Sequence, residues 1–299
     1  MPQTHSESQN IYEQFIAVRK ALSETTAGFW TDLEIYHELN QAQRHIAIKS
    51  RCLKKTVTIT TVASTQEYDL KDNSFADIID IADDGVYFKI AGTSYIPLKK
   101  KTKKQLAMES PGWQGVAAGT PTNYYYDKAS KTIGLYPKPN STNAGAYLFI
   151  TGYHLPKVLL GGTASSGSTT TIVFASGSAT VPYPNPANDY YNNLWLEIYG
   201  DTGAGQKCEI TDYVGATKTA TISVTTAPDN TSEFGMIPQI PESAHYLMPL
   251  YALWKIWPKG GSRTLLGEKY KKDYYEGLSE FIGEFIFDEN EEIIKDTYR

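Results

Sequence analysis

The sequence predicts an α+β protein. It has a helical bundle, made of an N-terminal helix pair and a C-terminal helical hairpin, an antiparallel β-sheet, and a small all-β domain, barrel or sandwich, inserted between them. Three observations predict this. Apolar residues recur at spacings of three and four at both ends of the chain. In the middle they alternate with polar residues, and no helices are interleaved to support a parallel sheet. At Leu160 the composition turns abruptly to Gly, Ser, Thr and Ala, and an all-β pattern follows.

The first helix spans Glu7 to Leu22, with Ile11, Phe15, Val18 and Leu22 on one face. Gly28 breaks the chain. Thr31 and Glu34 then have capping-box spacing, a hydroxyl for a free amide and a carboxylate that reaches back. They open a second helix to about Arg51, with Ile35, Leu39, Ala42 and Ile46 as its apolar stripe. From Lys54 the period becomes two, and Val57 to Thr61, Glu67 to Leu70, Ile78 to Ile81, Val86 to Ile90 and Tyr95 to Leu98 read as short strands. Asp83-Asp84-Gly85 has turn chemistry. Lys99 to Gln105 begins a short helix, Tyr124 to Tyr126 with Ile133 to Tyr136 make a hairpin, and Tyr147 to Ile150 is a further strand.

Gly161 to Thr171 is expensive to order and has little to bury, so it reads as a linker or long loop. Strands follow at Thr171 to Phe174, Leu194 to Tyr199, Lys207 to Tyr213 and Thr219 to Val224. Pro241 suits the first turn of a helix that runs to about Trp257 with a kink at Pro249. After Pro258 and Gly260-Gly261 a second helix runs from Thr264 to Phe287, with Leu266, Tyr270, Tyr274, Leu278, Phe281 and Phe285 on one face. The organisation expected is a core of residues 1–159 and 236–287, an inserted β domain of residues 160–235, and an extended tail of residues 288–299, too polar to join the core.

Composition narrows the function. The chain has 299 residues, and a net charge of −5 argues against a general nucleic-acid coat. Met1 to Asn10 lacks the apolar core of a signal peptide, and no apolar run approaches a membrane span. Cys52 and Cys208 lie far apart and read as free thiols. Gly200 to Gly205 is followed by a strand pattern, not the helix that a phosphate loop needs. None of the five histidines has a partner at zinc-site spacing, and no nucleophile elbow occurs. The sequence therefore nominates no catalytic residue, no metal ligand and no cofactor.

What it does nominate is surface. Tyrosine, with 22 copies, suits faces that are wet before assembly and buried after it; it is also simply a good strand former. Lys99, Lys100, Lys101, Lys103 and Lys104 form the one dense basic run, open to three readings: a DNA backbone contact, an acidic neighbour, or a solvated face. Tyr183, Tyr190, Tyr191 and Trp195 are the aromatics through which the inserted domain would meet a partner.

Three passages carry a resemblance. The N-terminal helices lead into Thr61-Val-Ala-Ser-Thr-Gln-Glu-Tyr-Asp-Leu70. Gly119-Thr-Pro-Thr-Asn-Tyr-Tyr-Tyr126 is followed by Ile133-Gly-Leu-Tyr-Pro-Lys-Pro139. Ile237-Pro-Gln-Ile-Pro-Glu-Ser-Ala-His245 enters an aromatic helical hairpin. In this order they resemble the head-to-tail adaptor proteins of tailed phages over residues 7–159 and 236–299. The 160–235 block departs from the minimal pattern and is similar to β modules that decorate phage structural proteins.

The resemblance implies a structural protein of the virion neck, assembled from the host cytoplasm. It would form a ring, typically twelvefold, below the portal, with double-stranded DNA passing through without sequence specificity. Portal, tail or nozzle proteins and further copies are the implied partners, with fibres or a collar on the insert and no membrane. It places a portal-docking segment at the C-terminus, where Ile293, Ile294 and Tyr298 would anchor and Arg299 would set register. A channel that must release DNA is poorly lined with lysine, so the basic run is expected at a subunit or partner interface. The competing reading is a carbohydrate- or receptor-binding virion protein acting through the inserted domain.

Overall fold

The chain divides where its period changes. The computed structural model describes residues 9–24, 28–71, 75–90, 95–177, 182–260 and 264–297. One unit is Met1–Cys52 with Pro156–Arg299, the other is Leu53–Leu155. The block that begins at Leu160 thus shares a unit with the helices, and the first run of strands forms the separate unit.

Helix α1 (Ile11–Leu22) starts on a capping box in which Asn10 takes the amides of Tyr12 and Glu13 and Glu13 takes the Asn10 amide. Helix α2 (Asp32–Ser50) starts on the Thr31–Glu34 box expected from the sequence, and Ile35, Leu39, Ala42 and Ile46 are buried.

In the unit Leu53–Leu155 the elements are β1 (Lys54–Thr60), β2 (Glu67–Asp69), β3 (Ile78–Lys89), β4 (Ile96–Pro97), β5 (Lys99–Lys100), α3 (Lys103–Glu109), β6 (Asn123–Asp127), β7 (Thr132–Tyr136) and β8 (Tyr147–His154). They form two four-stranded sheets, ordered β1-β8-β3-β4 and β2-β7-β6-β5. One core joins them, with Phe88, Leu148 and Ile150 from the first and Tyr124, Ile133 and Leu135 from the second. Two local expectations change. Asp83-Asp84-Gly85 is not a turn between two strands but a bulge within the single strand β3, where the register against β8 shifts between Ile81 and Val86. Gly85 is needed there, since a Cβ would lie 2.6 Å from the Thr151 carbonyl oxygen. The pairing of β5 with β6 is parallel, as is the isolated bridge between Gly119 and Pro139, in a mainly antiparallel pattern.

In the other unit, β9 (Gly161–Gly167), β10 (Thr171–Phe174), β11 (Trp195–Gly200), β12 (Gln206–Glu209), β13 (Asp212–Val214), β14 (Thr219–Thr221) and β15 (Glu233–Met236) make one antiparallel sheet ordered β12-β11-β15-β9-β10-β14-β13. The strands at its two ends belong to one continuous stretch. The amide of Ile210 donates to Leu194 and that of Thr211 to Thr221, so the sheet curls until a single segment bridges its seam. Phe174, Tyr191, Tyr213 and Phe234 fill the interior. The Gly-Ser-Thr run expected to be a linker is the interior strand β9, held by ladders to β15 and β10 on both sides. Its small residues have a packing reason: a Cβ on Gly161 would lie 3.1 Å from Ile11 Cγ2 and from the Tyr36 hydroxyl. Helix α1 also reaches the sheet through Tyr12, whose hydroxyl donates to Glu233 at 2.8 Å, and through Asn10, whose amide donates to Glu197 at 2.9 Å.

Helix α4 (Leu247–Ile256) begins six residues later than Pro241, after a short 3₁₀ turn, so Pro249 falls in its first turn. An amide there has no helical partner to lose, which removes the expected kink. Helix α5 spans Thr264–Thr297 and packs on α4. Its backbone stays helical past Asp288, in place of the extended segment expected there; residues 288–297 contain neither Gly nor Pro, and Glu and Ile are compatible with a helix. Trp30 ties the α1–α2 turn to α4, its indole donating to the Ile256 carbonyl and meeting Trp257 edge-on at 5.7 Å.

Candidate functional site

The densest aromatic arrangement lies where α2, α4 and α5 meet. Tyr251 from α4 and Tyr274 and Tyr275 from α5 meet His45 of α2, and Trp254 of α4 packs against all three tyrosines. Tyr274 is fully buried, and its hydroxyl lies 2.7 Å from His45 Nδ1. With the imidazole proton on Nε2, Nδ1 accepts this bond. Lys255 stands 4.0 Å over the Trp254 ring, and Tyr275 remains 44% exposed. At the N-terminal end of α5, Leu265 is 85% exposed and Leu266 44%, so the start of this helix presents apolar surface to solvent. Tyr274 was legible as a core position on its helix; His45 was not, because it flanks the α2 stripe and its partner is 229 residues away.

Two histidines in this unit have their pKa lowered by burial. Burial, with Lys49 and Lys255 nearby, lowers the pKa of His45. Burial also lowers that of His245, opposed by the Ile240 carbonyl 2.9 Å from its Nε2. Below about pH 6.5 the unfolded chain takes up protons that the folded chain refuses. The stability from both groups is therefore complete above that pH and is lost as pH falls toward their lowered values. Melting temperatures from pH 8 to pH 5 are expected to fall, and His245→Gln should flatten the acidic limb; an unchanged limb would refute the assignment of that residue.

Structure redistributes the charge of the basic run. Lys99 and Lys100 form the edge strand β5, and Lys103 and Lys104 open α3 behind a Thr102–Gln105 capping box. Lys100 pairs with Asp83 at 3.3 Å, Lys101 with Glu109, and Lys103 with Glu67 at 3.1 Å while standing 5.0 Å over the Tyr125 ring. Among the described residues no carboxylate pairs with Lys99 or Lys104, and both are exposed. Among the described residues the run makes three internal ion pairs and leaves two cations without one, a weaker field than its sequence suggests.

The inserted-block aromatics separate likewise. Tyr183 is 68% exposed and packs over Gly177. Tyr190 is half-buried, its hydroxyl accepting the Val158 amide at 3.0 Å. Tyr191 is 1% exposed inside the barrel, its hydroxyl accepting the Asn185 amide at 2.9 Å, so it offers no face to a partner. Trp195, half exposed, borders a groove of about 680 Å³ with Lys207, Ile237, Pro238 and His245. Of the C-terminal set, Ile293 and Ile294 fall on the α5 backbone, and Tyr298 and Arg299 lie outside the described residues.

Sequence reasoning missed two side-chain amides of α2, Gln43, which is buried, and Asn40, which is partly buried. Gln43 accepts the Gln239 amide at 2.7 Å and donates to the Lys157 carbonyl at 3.1 Å, while the Lys157 amide donates to the Gln239 side chain at 2.6 Å. Asn40 takes the Leu159 amide at 2.7 Å and donates to its carbonyl at 3.2 Å. Both lie on one helix and clamp the strands of chain that enter and leave the barrel. Both thiols are quiet: burial raises the pKa of Cys52, and pushes that of Cys208 up to about 11. Among the described residues no three His, Cys, Asp or Glu side chains are grouped to hold a metal ion, and no helix is long and apolar enough to cross a membrane.

What these surfaces offer is contact area: exposed Leu265, Leu266 and Tyr275 on the helical hairpin, paired charges, and a barrel clamped to α2. Surfaces of this kind are suited to contacts with other proteins. The family model of the SU10 adaptor protein matches residues 12–176, more than half of the chain, and the protein belongs to this family of phage structural adaptors, components of the virion. The match runs from α1 through the first strands of the barrel sheet. No curated protein matches the chain.

Proposed function

We propose that the chain is a head-to-tail adaptor that forms a ring, twelvefold in the family pattern, below the portal. The ring completes the head, joins it to the tail or nozzle in the virion neck, and leaves a central channel for double-stranded DNA. The observation that carries this reading is the family match over residues 12–176. The α4–α5 hairpin supports it, since a 34-residue helix at about 1.5 Å per residue reaches about 51 Å, well beyond the length of α4. Ile293, Ile294, Tyr298 and Arg299 are the proposed portal contacts. Lys99 and Lys104, the cations without an internal partner among the described residues, are the members of the basic run proposed to meet a neighbouring subunit. Tyr183 and Trp195 are the barrel's proposed contacts for fibres or a collar.

The test is sedimentation of the purified chain with purified portal rings, full-length and truncated after Phe287. A ring-sized complex that forms with the full chain and is lost on truncation is the expected result. A full-length chain that stays unassembled beside portal would remove the reading. The competing carbohydrate-binding reading would then rest on Trp195 and its groove.

A further inference from the structure

Strand β1 is an open edge of its sheet. It pairs with β8 over all seven residues and is the first strand in the order β1-β8-β3-β4. The outward direction of its backbone follows from its ends. The Thr61 amide donates to Ala146, the Thr61 carbonyl accepts from Gly145, and the Leu53 carbonyl accepts from His154. Odd-numbered residues therefore bond toward β8, and the N–H and C=O groups of Thr56, Thr58 and Thr60 point away from the sheet. Among the described residues no group bonds to these outward amides and carbonyls.

Exposed edges are normally kept short, bulged, or broken by proline. The other edges here obey that rule: β4 has two residues and ends in Pro97, β5 has two, β2 and β13 have three, and β12 has four. Strand β1 has seven, with neither Gly nor Pro and with unbroken register. The core is also unfinished beside it. Val57 and Ile59 pack against the buried cluster but are only partly buried themselves, whereas Leu148 and Ile150 on β8 are fully buried.

We infer that β1 pairs antiparallel with β1 of a second copy of this chain about a twofold axis at Thr58, merging two four-stranded sheets. The segment is complementary to itself in this register. Thr56 meets Thr60 of the second copy, Thr58 meets Thr58, and Val57 meets Ile59, so hydroxyls face hydroxyls and apolar side chains face apolar ones. Lys54 and Lys55 fall outside the paired stretch, so no like charges are opposed. Shifting by one residue would set the outward backbone groups against the bonded ones and turn the threonines toward the core. The contact is isologous and closes at two copies. It concerns the free protein and does not depend on the ring reading, whose contacts must be head-to-tail.

The test is sedimentation equilibrium of the full chain across about two decades of concentration around the micromolar range. The wild type is expected to pass from monomer to dimer. Thr58→Lys sets two ammonium groups against each other across the axis on an exposed position, and Thr58→Glu sets two carboxylates; each is expected to weaken the dimer at least about tenfold. An equimolar mixture of the two variants should restore it, which also shows that both are folded. A wild type that stays monomeric throughout, a dimer that both variants leave intact, or a mixture that stays monomeric would overturn the inference.

Discussion

Replacing Phe174 by alanine is expected to cost about 3–5 kcal/mol, the range for removing a fully buried phenylalanine. Its ring is 2% exposed and is the hub of the barrel, stacked on Phe234 at 5.0 Å, near-parallel to Tyr213 at 5.9 Å and edge-on to Tyr191 at 5.8 Å. The strand carrying it is interior to the sheet, between β9 and β14, so the backbone cannot move to close the cavity without breaking a ladder. The barrel and the helices belong to one unit, tied by the Asn40 and Gln43 clamps. The loss should therefore appear in the unfolding midpoint of the helices as well as of the barrel. Urea unfolding followed by circular dichroism at helical and at strand wavelengths measures both. A loss under about 1 kcal/mol, or a barrel that melts while the helices stay, would show that this cluster does not carry the unit. Trp195→Ala is the control: half exposed, it should change stability by no more than about 0.5 kcal/mol.

Phe174 itself was readable, as an apolar residue ending a short alternating run. Its hub position was not, because its ring partners come from two strands and a turn up to 60 residues away. The same contrast runs through the fold. Capping boxes are local, and the one at Thr31 was legible to the residue. The bulge in β3 was not, since Asp83-Asp84-Gly85 has the chemistry of a turn and only pairing with β8 makes it a bulge. The run from Gly161 was read as a linker for want of side chains to bury; hydrogen bonds on both edges and the close approach of α1 supply what its composition lacks.

For the candidate surfaces, residue type was legible and state was not. Five lysines in six positions announce a basic patch. Asp83, Glu67 and Glu109, which neutralise three of them, lie in a strand bulge, on the opposite edge strand of the β5 sheet and at the end of α3. Four aromatics announce a binding face, but the turn before β11 folds Tyr191 into the barrel, while Tyr183 in a connecting loop and Trp195 at the start of β11 stay outside. The edge of β1 needed topology: alternation showed which side chains face outward, and only the strand order showed that nothing in its sheet lies beyond it.

Arg19→Ala is the second large effect expected, about 2–3 kcal/mol. Arg19 is 4% exposed and joins both sides of the α1–α2 turn, with Nη2 on Asp32 and Nη1 3.4 Å from Glu24. Its guanidinium lies 5.5 Å from the Phe15 ring, and Glu24 in turn accepts the Phe29 amide at 3.3 Å. Breaking a fully buried pair costs about 3–5 kcal/mol because a bare charge is left behind. Here Asp32 and Glu24 keep 25% and 23% exposure, so water recovers part of that cost. Two further variants separate charge from packing. Arg19→Met keeps the apolar stem against Phe15 and leaves the carboxylates bare, so it should lose nearly as much as alanine. Arg19→Lys supplies one ammonium where a fork served two partners, and should recover about half. If methionine restores wild-type stability, the side chain acts through its stem and the ion pairs contribute nothing measurable; if lysine does no better than alanine, the fork geometry is what holds the turn.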